Sequence, residues 1–194
     1  ASDYGNFVTI IALASFFAPL AGFGLHGVIL IRGARTPDEL PRLIGTCLTL
    51  WAGSTCLFSV LAVAVVLRVL PSSEHGLTVA LLVFAEVVST SFVELIARIE
   101  QSRHNVAGFG TILAGLATIW LLVALPFLLD HSLALSDWII AYTSANLIFF
   151  AAISIWLFRR HQVDKPSRME WQLLREGLPF GIGAASMRLQ GEFN

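Results

Sequence analysis

Five long apolar runs, separated by short polar segments, dominate the pattern of hydrophobic positions along the chain. The runs cover residues 7–31, 44–67, 77–97, 106–129 and 138–158. An α-helix rises 1.5 Å per residue and needs about 20 residues to cross roughly 30 Å of hydrocarbon, so each run can span a membrane. The pattern predicts an all-α fold, a polytopic transmembrane helix bundle with five complete spans. A further apolar run begins at Leu178 and predicts the start of a sixth span.

Composition supports a membrane protein and excludes an ordinary soluble domain. Hydrophobic residues make up 56% of the chain and charged residues only 13%, against roughly 25% charged residues in a soluble domain. The net charge of -1 provides no large basic surface, so no nucleic-acid partner is expected. The lipid bilayer is the first partner that the sequence predicts.

Basic residues are concentrated in alternate connections between the apolar runs. Ten of the twelve lie in three such segments: Arg32, Arg35 and Arg42; Arg98 and Arg103; Arg159, Arg160, Lys165, Arg168 and Arg175. The other connections carry only Arg68, and Arg188 lies inside the unfinished sixth run. Cytoplasmic loops of membrane proteins are enriched in Lys and Arg. We therefore expect these three connections to be cytoplasmic, in a multi-pass protein of the plasma (cell inner) membrane.

This orientation predicts how the chain is organised. It puts the N-terminus outside, although residues 1–6 contain no export signal; we therefore expect a preceding helix and interpret the chain as part of a longer protein. A complete five-helix protein with a reentrant tail is the alternative. Residues 1–158 would form an N-terminal bundle without its first helix, 159–177 a cytoplasmic linker, and 178–194 the start of a C-terminal bundle. Within the linker, Trp171 and Leu174 share one face of a predicted interfacial helix.

Charged residues at membrane depth are candidates for function, because each costs about 2.5 to 3.5 kcal/mol on insertion scales. The third run places Glu86, Thr90, Glu94 and Arg98 at steps of four, on one side of a helix. Such a side faces protein or water rather than lipid. Two interpretations remain open. In one, Glu94 pairs with Arg98 and Glu86 bonds a neighbouring helix; in the other, the carboxylates line a substrate or ion pathway.

Three further polar residues complete the set of candidate substrate-binding residues. Arg188 lies eleven residues beyond Gly177, which places it about 16 Å into the membrane. Its forked guanidinium matches a phosphate or pyrophosphate group, although a structural pair with a glutamate of the third run is equally compatible. Tyr142 and Asn146 share one side of the fifth helix, where hydrogen bonds between helices are the alternative to substrate binding.

Catalytic and metal-binding patterns are missing from the sequence. The five histidines fall one to a segment, without zinc-ligand spacing. Residues 22–27 match the dinucleotide pattern G-x-G-x-x-G, but no strand precedes them. We therefore expect no enzymatic activity, no cofactor and no metal site.

Three short motifs resemble a known transporter family. They are residues 4–10 (YGNFVTI) with 22–27 (GFGLHG), residues 38–45 (DELPRLIG) and residues 175–183 (REGLPFGIG). Together they resemble the polysaccharide biosynthesis or O-antigen flippase family of the multidrug/oligosaccharidyl-lipid/polysaccharide exporter superfamily. Members of that family resemble one another in having two six-helix bundles around a central cavity, and a Gly-x-Pro turn that opens the seventh helix. The chain would then run from the second helix into the seventh.

The resemblance implies a function in lipopolysaccharide or other polysaccharide biosynthesis. A lipid-linked oligosaccharide on a polyprenyl pyrophosphate would be flipped across the membrane by alternating access, with Arg188 on a cavity-lining helix and the remaining helices of the longer protein as partners. Two other classes stay open. A drug or cation antiporter of the same superfamily would use Glu86 or Glu94 as its proton site, whereas a non-transporting membrane scaffold would use neither.

Overall fold

The computed structural model describes residues 2–69, 76–129, 135–166 and 171–193, with side chains except at 2–4, 6, 135 and 188–193. It confirms an all-α helical bundle. The helices are α1 (Ser2–Ala21), α2 (Leu25–Arg35), α3 (Leu40–Val69), α4 (Gly76–Ser102), α5 (Val106–Leu129), α6 (Leu135–Arg160) and α7 (Trp171–Phe193), with a 3-10 turn at Pro37–Glu39. Five stretches are long and apolar enough to span a membrane, with α1 and α2 together forming the first.

Helix α4 lies at the centre of the bundle and contacts α1, α2, α3, α5 and α6. Within its most apolar stretch, 78% of the residues are buried, against 11% for α5. The outer face of α5 exposes Leu121, Leu125 and Leu128. An apolar surface of this kind is compatible with lipid and unfavourable in water. The packing explains why polar residues are concentrated on α4, where protein surrounds them.

The first apolar run is one membrane-spanning stretch, as expected, but it forms two helices, α1 and α2, instead of one helix over residues 7–31. The helix stops after Ala21 because Phe23 (φ 47°) and Gly24 (φ 64°) adopt left-handed backbone conformations. A break inside a membrane leaves backbone carbonyls without helical partners. The hydroxyl of Ser54 on α3 donates a hydrogen bond to the carbonyl of Ala21 and so compensates one of them.

Helix α7 runs without interruption from the linker into the sixth apolar run. We expected a separate interfacial helix and a turn at residues 177–179, but Trp171–Phe193 is one helix with Pro179 inside it. Trp171 is exposed, while its neighbour Leu173 is fully buried. The inward side repeats every four residues, at Leu173, Gly177, Gly181 and Ala185. The division into domains at residues 159–177 and 178–194 stays a prediction.

The three Arg-rich connections lie at one end of the bundle, which we call the Arg-rich end. Arg32 at the end of α2 forms a bidentate ion pair with Glu176 at the start of α7, with nitrogen–oxygen distances of 2.9 and 2.6 Å. The segment after α6 crosses the start of α3, where the amide of Asp164 donates to the carbonyl of Pro41 at 3.2 Å. Connections that are far apart in sequence are thereby held together.

Candidate functional site

Glu86 lies in the interior of the bundle, with both carboxylate oxygens hydrogen-bonded. The side chain is buried on α4. The hydroxyl of Tyr142 on α6 donates to Oε2 at 2.8 Å, and the hydroxyl of Thr90 donates to Oε1 at 3.0 Å. This confirms that Glu86 faces protein and bonds a neighbouring helix. A buried polar group is stable only with such partners.

Asn146 extends this arrangement to a third helix. It is fully buried on α6, and its Nδ2 donates to the carbonyl of Tyr142 at 3.2 Å. The indole nitrogen of Trp120 on α5 donates to Oδ1 at 3.1 Å, and Ser89 donates to the backbone carbonyl of Asn146 at 3.2 Å. We call Glu86, Thr90, Tyr142 and Asn146, with Ser89 and Trp120, the buried polar network. Our sequence reasoning missed Trp120, since a tryptophan in an apolar run is ordinarily lipid-facing or core.

Of the two remaining candidates, Glu94 has different surroundings, and the side chain of Arg188 is not described. Glu94 is half-buried, one turn beyond Thr90. One of the two interpretations paired Arg98 with Glu94; the described contacts of Arg98 are a hydrogen bond to Gln101 and a position 5.5 Å above the ring of Phe109. The side chain of Arg188 lies outside the described residues. Four of the six candidates are therefore brought together, and their role in substrate binding stays a prediction.

A second polar cluster at the Arg-rich end was missed by our sequence reasoning. Glu100 is almost completely buried near the end of α4. Its Oε1 lies 2.7 Å from Nε2 of His161 and 3.7 Å from Nε of Arg160, and Asn105 donates to its other oxygen. The prediction ended the third apolar run at residue 97 and treated Glu100 as part of a loop. We call Glu100, Arg103, Asn105, Arg160 and His161 the Glu100 cluster.

His161 links an anion to a cation within the Glu100 cluster. Burial lowers the pKa of His161 below its usual value, although the hydrogen bond to Glu100 opposes this shift. A neutral imidazole has one donor and one acceptor nitrogen. The geometry fits a proton on Nε2, which donates to Glu100, and a free pair on Nδ1, which accepts from Arg103 at 2.8 Å.

Glycines bring the α1–α2 break and α7 into backbone contact. A Cβ added to Gly24 would lie 2.0 Å from the carbonyl oxygen of Gly177, and one added to Gly177 would lie 2.3 Å from that of Phe23. A Cβ added to Gly181 would lie 3.1 Å from the amide nitrogen of Gly24. We call Gly24, Gly177 and Gly181 the glycine junction. The spacing of residues 177 and 181 is the G-x-x-x-G pattern of close helix packing, and it is the signal that our sequence reasoning overlooked.

Comparison of the chain with protein-family models, curated proteins and solved structures found no match. Among the residues that the structure describes, no group of three His, Cys, Asp or Glu side chains could hold a metal ion. The assignment of function therefore depends on the residues themselves and on the resemblance of the motifs.

Proposed function

We propose that this protein translocates a lipid-linked oligosaccharide across the plasma membrane, as part of a polysaccharide flippase that works by alternating access. The observation that carries the proposal is the glycine junction. Two of the motifs that resemble the flippase family, at residues 22–27 and 175–183, are about 150 residues apart in sequence, and the glycine junction joins them at backbone distance.

The position of the glycine junction fits a moving contact between two halves of a transporter. Transporters commonly have discontinuous helices at the interface between their repeated halves. Here the break between α1 and α2 contacts the helix that follows the long linker. Glycine surfaces lack side chains that interlock, so two helices can shift against each other without repacking a core. The Arg-rich end would be the side at which the substrate enters.

A gene-deletion experiment tests the function directly. Deletion should abolish surface polysaccharide and cause its lipid-linked precursor to accumulate at the inner face of the membrane, and the intact gene should restore export. A control strain lacking the enzyme that starts the oligosaccharide should have neither surface polymer nor accumulated precursor. Unchanged surface polysaccharide in the deletion strain would refute the proposal.

A reversible crosslink tests whether the contact at the glycine junction moves. A Cβ at Gly27 would lie 2.6 Å from the ring of Phe180, so cysteines at these two positions are within the reach of a disulfide. In a protein with Cys47 and Cys56 replaced, oxidation of the Gly27→Cys/Phe180→Cys pair should stop export, and reduction should restore it. Each single-cysteine variant serves as a control. Normal export by the oxidised pair would exclude a moving contact here.

Arg188 is the proposed contact for the phosphate part of the substrate. Lysine keeps the charge but loses the forked donors, so Arg188→Lys should retain partial export and Arg188→Ala should abolish it at normal protein abundance. If Arg188 instead pairs with a glutamate of α4, Arg188→Ala should lower protein abundance, and adding Glu86→Gln or Glu94→Gln should restore it. Normal export by Arg188→Ala would refute the phosphate contact.

A further inference from the structure

A cavity of about 520 Å³ opens at the Arg-rich end, beside the Glu100 cluster. The end of α2, the 3-10 turn, the start of α3, the α4–α5 connection and the segment after α6 all contribute to its wall. Its polar lining consists of Ser102, Arg103, His104, Arg160, His161 and Gln162. Its volume lies within the roughly 300 to 1,000 Å³ of small-molecule sites. It is separate from the glycine junction and from the buried polar network, neither of which contributes to its lining.

The charges of the cavity lining and of Glu100 behind it do not cancel. Arg103 and Arg160 are permanently positive, and Glu100 provides one negative charge behind them. With His161 neutral, one positive charge remains in excess. An anion in the cavity would balance that charge without displacing Glu100, which is held by His161 and by Asn105.

Both arginines have hydrogen-bond donors available for a ligand. Arg160 is half exposed, its Nε is 3.7 Å from Glu100, and its guanidinium lies 5.2 Å above the ring of Trp156. Among the described residues, its terminal amines have no hydrogen-bond acceptor. Arg103 is exposed and donates from one amine to His161, which fixes its orientation. Two guanidinium groups from separate segments therefore line the same cavity.

We propose that this cavity binds a phosphate group between Arg103 and Arg160. A phosphate offers several acceptor oxygens to the forked donors of two guanidiniums, and such charge-assisted bonds are short and strong. His161 acts as a positioning residue, because its neutral ring connects Arg103 to the buried Glu100. The proposal does not rest on the proposed transport function. The phosphate belongs either to an anionic lipid headgroup or to a soluble phosphate compound, because the cavity lies at the end of the bundle.

Two binding measurements on the intact purified protein distinguish these sources. For a soluble ligand, pyrophosphate is titrated calorimetrically into protein in phosphatidylcholine nanodiscs. For a lipid, native mass spectrometry counts the phosphatidylglycerol molecules that remain bound after delipidation. In whichever measurement detects binding, Arg103→Gln and Arg160→Gln should each weaken it about 10- to 100-fold, the range expected for one charge-assisted hydrogen bond.

Arg159→Gln is the matched control, since it removes the same charge at an exposed neighbouring position outside the cavity lining. Binding of pyrophosphate supports a soluble ligand, and retention of phosphatidylglycerol supports a lipid. Absence of both overturns the proposal, as does an equal loss in the Arg159→Gln control. Among the described residues, the contacts that Arg160→Gln removes are a 3.7 Å ion pair and a ring contact, so this variant tests the proposal even if Arg103→Gln fails to fold.

Discussion

Replacing Gly177 with alanine should destabilise the protein because the glycine junction leaves no room for a methyl group. The added Cβ would lie 2.3 Å from the carbonyl oxygen of Phe23, about 1 Å short of ordinary contact at 3.4 Å. The obstacle is backbone, which cannot rotate away as a side chain can. Overpacking of this kind costs about 1 to 3 kcal/mol. The helix must move away from the α1–α2 break or accept the clash.

Gly183→Ala is a matched control on the same helix. Nothing lies within 4 Å of a Cβ at Gly183, and neither glycine has a positive φ. Both substitutions gain helix propensity, about 1 kcal/mol for alanine over glycine, so this contribution cancels when the two variants are compared. We expect Gly183→Ala to match or exceed the wild-type free energy of unfolding, and Gly177→Ala to be about 1 to 3 kcal/mol less stable than Gly183→Ala.

The purified protein is unfolded reversibly in mixed micelles by raising the fraction of a denaturing detergent. Unfolding is monitored as the loss of the helical circular-dichroism signal. The comparison is made in one lipid-to-detergent ratio, so that the environment is constant. Equal free energies for the two variants, within about 0.5 kcal/mol, would show that α7 does not contact the break as described. In that case the glycine junction could no longer support the proposed transport mechanism.

Three further predictions concern separate parts of the bundle. Ser54→Ala should lower the free energy of unfolding by about 1 kcal/mol in the same assay, because it removes the closer of two hydroxyl donors to the last carbonyl of α1 and leaves only the longer bond from Thr55 among the described residues. Ser59→Ala should have no such effect, since that buried hydroxyl has no hydrogen-bond partner among the described residues. The free energy of unfolding should fall as the pH drops below about 6.5, because the folded protein holds the pKa of His161 below its usual value and favours the neutral ring. In melting curves at pH 7.5 and 5.5, the melting temperature of His161→Gln should change less with pH than that of the wild type. An equal change in both proteins would show that His161 is not the cause. In intact cells, an impermeant thiol reagent should label a cysteine at Ser136 and not one at Gln162, and the reverse result would invert the predicted topology.

Hydropathy was sufficient to predict the five membrane-spanning stretches, because each is apolar over the length that a bilayer requires. Hydropathy averaged along the run does not reveal the break at Phe23 and Gly24, since both residues are compatible with an apolar helix. The break also lies in close approach to Gly177 of α7. That approach is a contact between distant segments, which periodicity along one helix cannot reveal.

The candidate site was predicted in part for a similar reason. The cost of an unpaired charge in the membrane identified Glu86, and spacing along single helices associated Thr90 with it and Asn146 with Tyr142. The hydrogen bond that joins the two helices required the packing of α4 against α6. Glu100 was overlooked because its partner His161 lies 61 residues away, beyond the end of another apolar run.

The buried position of Glu86 has a consequence for the order of membrane insertion. Helix α4 is synthesised before α6, so Glu86 enters the membrane about 56 residues ahead of its partner Tyr142. Until α6 arrives, one carboxylate oxygen lacks the donor from Tyr142, whereas the other has its donor, Thr90, on the same helix. A nascent chain halted between these helices would therefore expose a destabilised α4 to membrane proteases. The hydrogen bond between Glu86 and Tyr142 forms only once α6 packs against α4, so biogenesis should be most vulnerable during synthesis of α5.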